Sequence, residues 1–139
     1  MAAEPASTNV QFTNFSGEIV KLNSVNIWDG PGMSNVPLVI DGQTMFTQTG
    51  SVAGIEYKFK HDYTLVVAWI NNGVSNKVYA QILPSGPGTY TVQWAQIKRK
   101  LEKSDDKYDT GNQYGYDCDL GIEPTGNAPK MVVTFKKAP

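Results

Sequence analysis

The feature that most restricts the fold of this chain is a strict alternation of apolar and charged residues near its middle. Across residues 55–60, Ile-Glu-Tyr-Lys-Phe-Lys, each apolar side chain is followed by a charged one. A β-strand turns successive side chains to opposite faces, so this run places three apolar side chains on one face and three charges on the other. The alternation recurs at residues 78–82, 90–94 and 131–135. The sequence therefore predicts half-buried strands.

One segment is almost entirely apolar, and Gly, Pro, Asn and Asp separate the strand-like runs. Residues 63–70 read Tyr-Thr-Leu-Val-Val-Ala-Trp-Ile, which predicts a central strand covered on both faces. Many short strands with regular turn signals are typical of an all-β, two-sheet antiparallel β-sandwich, here with about 8–10 strands and little helix. We predict a flexible N-terminal tail at residues 1–8 and one sandwich domain at 9–139. The predicted strands lie near residues 9–13, 18–28, 43–49, 53–60, 63–70, 76–83, 89–98, 114–120 and 130–136.

One segment, residues 95–103, is open to two interpretations. Ile97 and Leu101 are four residues apart and have four basic residues around them, which is the pattern of a basic amphipathic helix at a lipid surface. The alternative is a strand that runs into a charged loop. We favour the strand, because two apolar residues are too few to anchor a helix in lipid.

The composition restricts the partners and the compartment. Charged residues are only 18% of the chain and the net charge is −1, which does not favour nucleic acid or an anionic membrane as a partner. The single cysteine excludes an internal disulfide. There is no apolar run of the ~18 residues that a membrane-spanning helix requires. Because residues 1–8 contain no apolar signal core, a cytoplasmic location is expected.

The titratable residues do not assemble into a recognisable catalytic motif. His61 and Asp62 are neighbours in a predicted hairpin turn, where side chains face water, and no G-x-S-x-G segment supplies a nucleophile. The carboxylates beside Cys118 raise the pKa of a thiol, which opposes its use as a nucleophile. The late carboxylates do not have the spacing of a calcium loop. We therefore expect no enzyme, no cofactor and no metal.

Aromatic residues in polar surroundings are the better candidates for a binding site. Tyr108, Tyr114 and Tyr116 lie in a Gly-bearing stretch with Asp, Asn and Gln. Trp28 and Asp29 precede a predicted turn. Exposed aromatic rings beside such groups suit a sugar, a choline headgroup or interfacial lipid. These five residues are the predicted ligand-binding residues, although one or two of the tyrosines could instead face the core.

Several short motifs, in their order and spacing, resemble a known family. They are Asn14-Phe15-Ser16-Gly17, Trp28-Asp29-Gly30, Pro37-Leu38-Val39-Ile40-Asp41-Gly42-Gln43 with Phe46, Gly50-Ser51, Gly54 with Tyr57, Ala68-Trp69 and Asn76-Lys77-Val78-Tyr79. Over roughly residues 9–83 the chain resembles the plant jasmonate-induced protein-like family. More distantly it is similar to the actinoporin-like β-sandwich superfamily, with its actinoporins, fungal fruit-body lectins and aegerolysins.

The resemblance implies a non-enzymatic defence or stress protein that recognises a membrane lipid headgroup or membrane glycan, including as a cytolytic or insecticidal toxin. The alternative is a soluble lectin without membrane activity. Actinoporins insert an amphipathic N-terminal helix, for which residues 1–8 are too short and too polar, and the loop at residues 71–76 lacks their aromatics. A third hypothesis is an interaction domain that works through a sheet edge or as a homo-oligomer.

Overall fold

The alternating sequence folds into a mostly β structure, with one helix among the described residues. The computed structural model describes residues 7–29, 36–49, 52–60, 62–84, 92–126 and 128–139. The elements are β1 Ser7–Phe15, β2 Val20–Asp29, β3 Val39–Ile40, β4 Gln43–Thr49, β5 Val52–Phe59, β6 Tyr63–Ile70, β7 Lys77–Pro84, α1 Trp94–Glu102, β8 Lys107–Asp109, β9 Tyr116–Ile122 and β10 Lys130–Lys137.

These strands form two sheets of five, which confirms the predicted β-sandwich. The first sheet has the order β4-β1-β10-β9-β8 and the second has the order β3-β2-β5-β6-β7. All paired strands are antiparallel except β1 and β10, which run parallel. The first and last described strands therefore lie side by side in the first sheet. Of the predicted tail, residues 1–6 lie outside the described residues, whereas Ser7 and Thr8 belong to β1 and Thr8 is buried.

The core lies between the two sheets and is filled by alternate residues of each strand. In β5, Ile55, Tyr57 and Phe59 point inward, as the alternation predicts. The opposite face of β5 is not fully exposed, because the Glu56 side chain is buried there. Its carboxylate accepts three hydrogen bonds, from Asn23 Nδ2 at 2.9 Å, Ser24 Oγ at 2.7 Å and Thr64 Oγ1 at 3.3 Å.

Strand β6 is covered on both faces, as its apolar sequence predicts. Leu65, Val67 and Trp69 point into the core between the sheets. The other side chains, Val66, Ala68 and Ile70, form a second cluster with Tyr79, Val92 and the helix residues Ile97 and Leu101. Helix α1 therefore supplies the second cover of this strand.

The preferred strand interpretation of residues 95–103 is wrong. The segment is helical from Trp94 to Glu102, and its two apolar side chains, Ile97 and Leu101, are buried against the outer face of the second sheet. Spacing by four residues puts them on one helix face, and in the structure this face covers β6. Because that face is occupied by the protein, it is not available to lipid. Of the predicted strand at 89–98, residues 89–91 lie outside the described residues.

The strand directions define two ends of the sandwich, named here for their aromatic residues. The tyrosine end carries the β1–β2, β5–β6 and β8–β9 connections, and the tryptophan end carries the end of β2, the start of β5 and the β6–β7 connection. Eight-residue strands such as β6 separate the two ends by about 25 Å. Among the described residues, α1 is too short and too polar to cross a bilayer.

Candidate ligand-binding site

A groove at the tyrosine end collects two of the predicted tyrosines. Its volume is about 330 Å³. We call it the tyrosine groove. It is lined by Tyr79, Ala80, Gln81, Ile82, Leu83, Tyr108, Thr110, Gln113 and Tyr114. The lining residues come from β7, from β8 and from the β8–β9 loop, so the groove lies where the edges of the two sheets meet.

Strand β7 forms one wall of the groove with both its side chains and its backbone. The alternation in β7 sends Val78, Ala80 and Ile82 to the core and leaves Tyr79 and Gln81 on the other face. The Val78 N–H points away from β6, since it donates to the Asp105 carbonyl at 2.9 Å. Peptide groups two residues apart in a strand point the same way. The backbone N–H and C=O groups of Ala80 and Ile82 therefore face the groove.

The β8–β9 loop, residues 110–115, forms the opposite wall and is held by its own hydrogen bonds. The Thr110 N–H donates to the Cys118 carbonyl at 3.0 Å, and the Cys118 N–H donates to Thr110 Oγ1 at 2.9 Å. Within the loop, the Gly115 N–H donates to Asn112 Oδ1 at 2.9 Å. Tyr114 adopts a φ of 57°, in the left-handed region that a non-glycine residue seldom occupies. These contacts stabilise the backbone of the loop.

The tyrosine rings differ in how much of each is available. The rings of Tyr79 and Tyr108 are in contact, with centroids 4.8 Å apart. Burial, with the neighbouring Tyr108 as the second cause, raises the pKa of Tyr79 to about 12, so its hydroxyl is neutral over the physiological range. The Tyr114 ring contacts the Tyr63 ring, with centroids 5.6 Å apart, and 53% of the Tyr114 surface is exposed. Tyr114 therefore offers the accessible ring of the groove.

Among the described residues, none that lines the tyrosine groove carries a charge, although two carboxyl groups lie close to it. Asp109 and Asp117 are at the base of the β8–β9 loop and contact each other. The hydrogen bond from Asp117 lowers the pKa of Asp109, whereas the contact with Asp109, followed by burial, raises the pKa of Asp117. Thr110 Oγ1 lies 3.3 Å from Asp117 Oδ1 and links this pair to the loop.

The expectation that Tyr116 displays its ring is wrong. Tyr116 is buried at the start of β9, where its ring contacts Phe59 at 5.0 Å and Phe135 at 5.6 Å between centroids. Its hydroxyl lies 3.3 Å from Glu18 Oε1. The inward position follows from the register, since Tyr116 pairs with Lys137 beside the inward-facing pair Phe135 and Cys118. This tyrosine belongs to the core.

Trp28 and Asp29 do not join the tyrosines, because they lie at the opposite end of the sandwich. The Trp28 ring is half-buried and meets the Trp94 ring edge to face, with centroids 5.7 Å apart. Asp29 is exposed. These two residues line a separate and larger trough, of about 580 Å³, together with Val52, Ile70, Asn72, Lys77, Lys98 and Glu102.

The residues considered for catalysis lie elsewhere. Burial raises the pKa of the Cys118 thiol well above its ordinary value, and the neighbouring carboxylates act in the same direction as the smaller cause. His61 lies outside the described residues, and Asp62 is an exposed turn residue. In the part of the chain that the structure describes, no group of three or more His, Cys, Asp and Glu side chains could hold a metal ion.

Tyr79 and Gln81 are among the seven groove residues that were not predicted as ligand-binding residues. The signal for them is present in the alternation of residues 78–82, which puts both on the face opposite the core residues. That the β8–β9 loop lies against this face depends on a contact between two sheets. No pattern within either strand predicts it.

Comparisons with known proteins agree on the fold. No protein-family model matches the chain, and no curated protein matches it by sequence. The structure is similar to that of the lipid-binding protein Nakanori, with a TM-score of 0.81 and 13% identity over 97% of this chain and 73% of that one. It is also similar to wild-type Xerocomus chrysenteron lectin XCL, with a TM-score of 0.60 and 15% identity over 94% of this chain and 99% of that one. A substituted form of the same lectin gives a TM-score of 0.65 and 14% identity over 97% of this chain and 100% of that one. The chain therefore shares the β-sandwich fold of a lipid-binding protein and of a lectin.

Proposed function

We propose that the protein recognises a neutral saccharide of a membrane glycan in the tyrosine groove, without chemically converting it. One observation carries the proposal: the groove joins an exposed tyrosine ring to amide, hydroxyl and backbone groups, and none of its described lining residues has a charged side chain. Sugar rings present apolar faces and neutral hydroxyls, so they match an aromatic ring beside neutral hydrogen-bonding groups. A sandwich fold shared with a lectin and a lipid-binding protein supports the same conclusion.

Each wall of the groove has a separate task in this proposal. Tyr114 supplies the stacking surface, because its ring is the accessible one. The amides of Gln81 and Gln113 both donate and accept, which suits sugar hydroxyls. The outward backbone groups of Ala80 and Ile82 add fixed donors and acceptors. The internal hydrogen bonds of the β8–β9 loop reduce the ordering cost of binding.

Exposed apolar residues at the same end of the sandwich as the groove support a ligand that is attached to a membrane. Phe15 is 69% exposed and Ile19 is 47% exposed, and both lie at the tyrosine end with Tyr114. Large apolar side chains grouped at one end are typical of an interaction surface. In our proposal these side chains touch the lipid while the groove holds the sugar.

A lipid headgroup is the second candidate, and the tyrosines of the groove are the observation that favours it. The rings of Tyr79, Tyr108 and Tyr114 could hold the quaternary ammonium of a choline lipid by cation–π attraction. If Phe15 and Ile19 do not contact lipid, the protein is a soluble lectin without membrane activity. The saccharide and lipid-headgroup candidates differ in whether free sugar competes for binding.

The biological setting is part of the proposal and rests on the sequence motifs. Their resemblance to the jasmonate-induced protein-like family supports a plant defence or stress protein that is made in the cytoplasm and acts on target-cell membranes after release. Cytolytic or insecticidal activity is the strongest version of this role. Leakage of vesicles and toxicity to insect cells test it directly.

The experiment combines a glycan array with vesicles that contain sterol, sphingolipid or glycolipid. We expect wild-type protein to bind a neutral glycan and its glycolipid vesicles. Tyr114→Ala should lower both signals at least tenfold. Phe15→Ala is the matched control, since it should weaken vesicle binding and leave binding of the free glycan unchanged. A Tyr114→Ala protein that binds like wild type would show that the groove is not the site.

A further inference from the structure

The trough at the tryptophan end is a second concave site, distinct from the tyrosine groove. We call it the tryptophan trough. Its volume, about 580 Å³, exceeds that of the tyrosine groove. The trough shares no described lining residue with the tyrosine groove.

One row of paired residues forms the floor of the tryptophan trough. Asp29 pairs with Val52, Val52 pairs with Ile70, and Ile70 pairs with Lys77. Adjacent strands are about 4.8 Å apart, so the row extends over about 14 Å. The floor is therefore apolar in its middle, with a carboxylate at one end and an ammonium group at the other.

Helix α1 forms a wall along this row. The helix begins with Trp94, whose ring meets that of Trp28, and it ends where Lys77 Nζ donates to the Glu102 carbonyl at 2.6 Å. It thus runs across the sheet from β2 toward β7. Lys98 and Glu102 are one turn apart on the same helix face, and both line the trough. The carbonyl contact keeps Lys77 in place.

The chemistry of the lining differs from that of the tyrosine groove. Two ammonium groups, from Lys77 and Lys98, flank the apolar floor. Asn72 Oδ1 accepts from the Val74 and Ser75 N–H groups at 2.9 and 2.7 Å, which leaves its NH₂ group to donate to a ligand. Asp29 is a strong acceptor for hydroxyl groups, and the half-buried Trp28 offers an aromatic surface beside it.

We propose that the tryptophan trough binds an acidic saccharide, a sugar that bears a carboxylate or a sulfate. The anionic group pairs with Lys77 and Lys98, and the sugar hydroxyls bind Asp29 and Asn72. A neutral sugar offers neither ammonium group an anionic partner.

The test uses full-length protein, isothermal titration calorimetry and three probes: sialyllactose, a sulfated heparin disaccharide and neutral lactose. We expect at least one acidic probe to bind with a dissociation constant below about 1 mM, and lactose not to compete with it. Lys98→Gln should weaken that binding about tenfold, as loss of one charge-assisted contact does. Added salt should weaken binding to wild type more than to Lys98→Gln.

Lys100→Gln is the matched control, because it removes the same charge from the same helix. The two lysines are about 200° apart around the helix, and Lys100 is exposed. The Lys100→Gln variant should bind the acidic probe with the same affinity as wild type. Equal losses in both variants would mean non-specific charge attraction and would overturn the proposal, as would no binding of either acidic probe. Tyr114→Ala should leave acidic binding unchanged, so this result is independent of the tyrosine groove.

Discussion

Replacement of Gly54 by alanine tests how helix α1 is held to the sheet. Gly54 lies in β5 and has no positive φ, so its backbone does not require glycine. A Cβ at this position would lie 2.6 Å from Trp94 Cζ3 and 3.4 Å from Trp28 Cη2. The first distance is below any real contact, so the Trp94 ring must move. Trp28 and the first turn of α1 restrict that movement.

The expected effect is the sum of two opposing terms. Alanine in a strand gains about 0.5–1 kcal/mol over glycine, because the unfolded chain loses less conformational freedom on folding. Overpacking of a well-packed site costs about 1–3 kcal/mol. The net expectation is a loss of roughly 1–2 kcal/mol in the free energy of unfolding. If the helix detached completely, loss of the burial of Ile97 and Leu101 would raise the cost to about 3–6 kcal/mol.

Urea unfolding followed by tryptophan fluorescence and circular dichroism measures this effect, with Gly121→Ala as the control. Gly121 is also inside a strand, but a Cβ there meets nothing closer than the Asp106 carbonyl oxygen at 4.0 Å. That variant should be as stable as wild type or more stable by up to about 1 kcal/mol. If Gly54→Ala were as stable as Gly121→Ala, with an unchanged fluorescence spectrum, the argument for the packing of Trp94 would be refuted.

Three further predictions follow from the described contacts. Leu101→Ala should lower the free energy of unfolding by about 2–5 kcal/mol in urea titration, because this side chain of α1 is fully buried against the second sheet. A loss below about 1 kcal/mol would contradict that packing. Cys118 should react with a thiol reagent only after unfolding, since burial raises its pKa and blocks access; fast labelling of folded protein would disprove this. Asp117→Asn should be more stable than wild type at pH 7, and the difference should shrink as the pH falls toward 4. The sign follows because the folded state raises the pKa of Asp117, so the ionised carboxylate opposes folding; a difference that grows on acidification would contradict it.

The strands of the sandwich could be predicted because their signals are local. The run at residues 63–70 defines β6 to the residue, and the alternation at residues 55–60 gives the inward face of β5. The helix was misjudged for a physical reason: Ile97 and Leu101 are too few to define an amphipathic helix alone. The helix is stabilised by packing of Ile97 and Leu101 on the outer face of β6 and of the Trp94 ring against Gly54. No local sequence pattern shows these contacts.

The candidate site was predictable only in part, because it depends on contacts between distant strands. Tyr114 and Tyr116 are two residues apart in one polar stretch, yet the first is exposed in a loop and the second is core. What separates them is that β9 begins at Tyr116. The position of Trp28 at the other end follows from the pairing of β2 with β5, so composition alone could not separate the two sites.

These two sites give the sandwich different chemistry at each end. The described lining of the groove at the tyrosine end is uncharged, whereas the trough at the tryptophan end is lined by two ammonium groups, two carboxylates and an indole. A protein that used both could bridge a neutral glycan on one surface and an acidic one on another. The Tyr114→Ala and Lys98→Gln variants separate the two activities.

The central claim is that the tyrosine groove holds a neutral saccharide, and amide chemical-shift mapping tests it most directly. The protein, labelled with a nitrogen isotope, is titrated with the neutral glycan that binds most strongly on the array. We predict the largest shifts at Ala80, Ile82, Gln113 and Tyr114, with none at Asn72 or Lys77. Shifts concentrated at the tryptophan end, or no neutral glycan that produces shifts in the groove, would contradict the account.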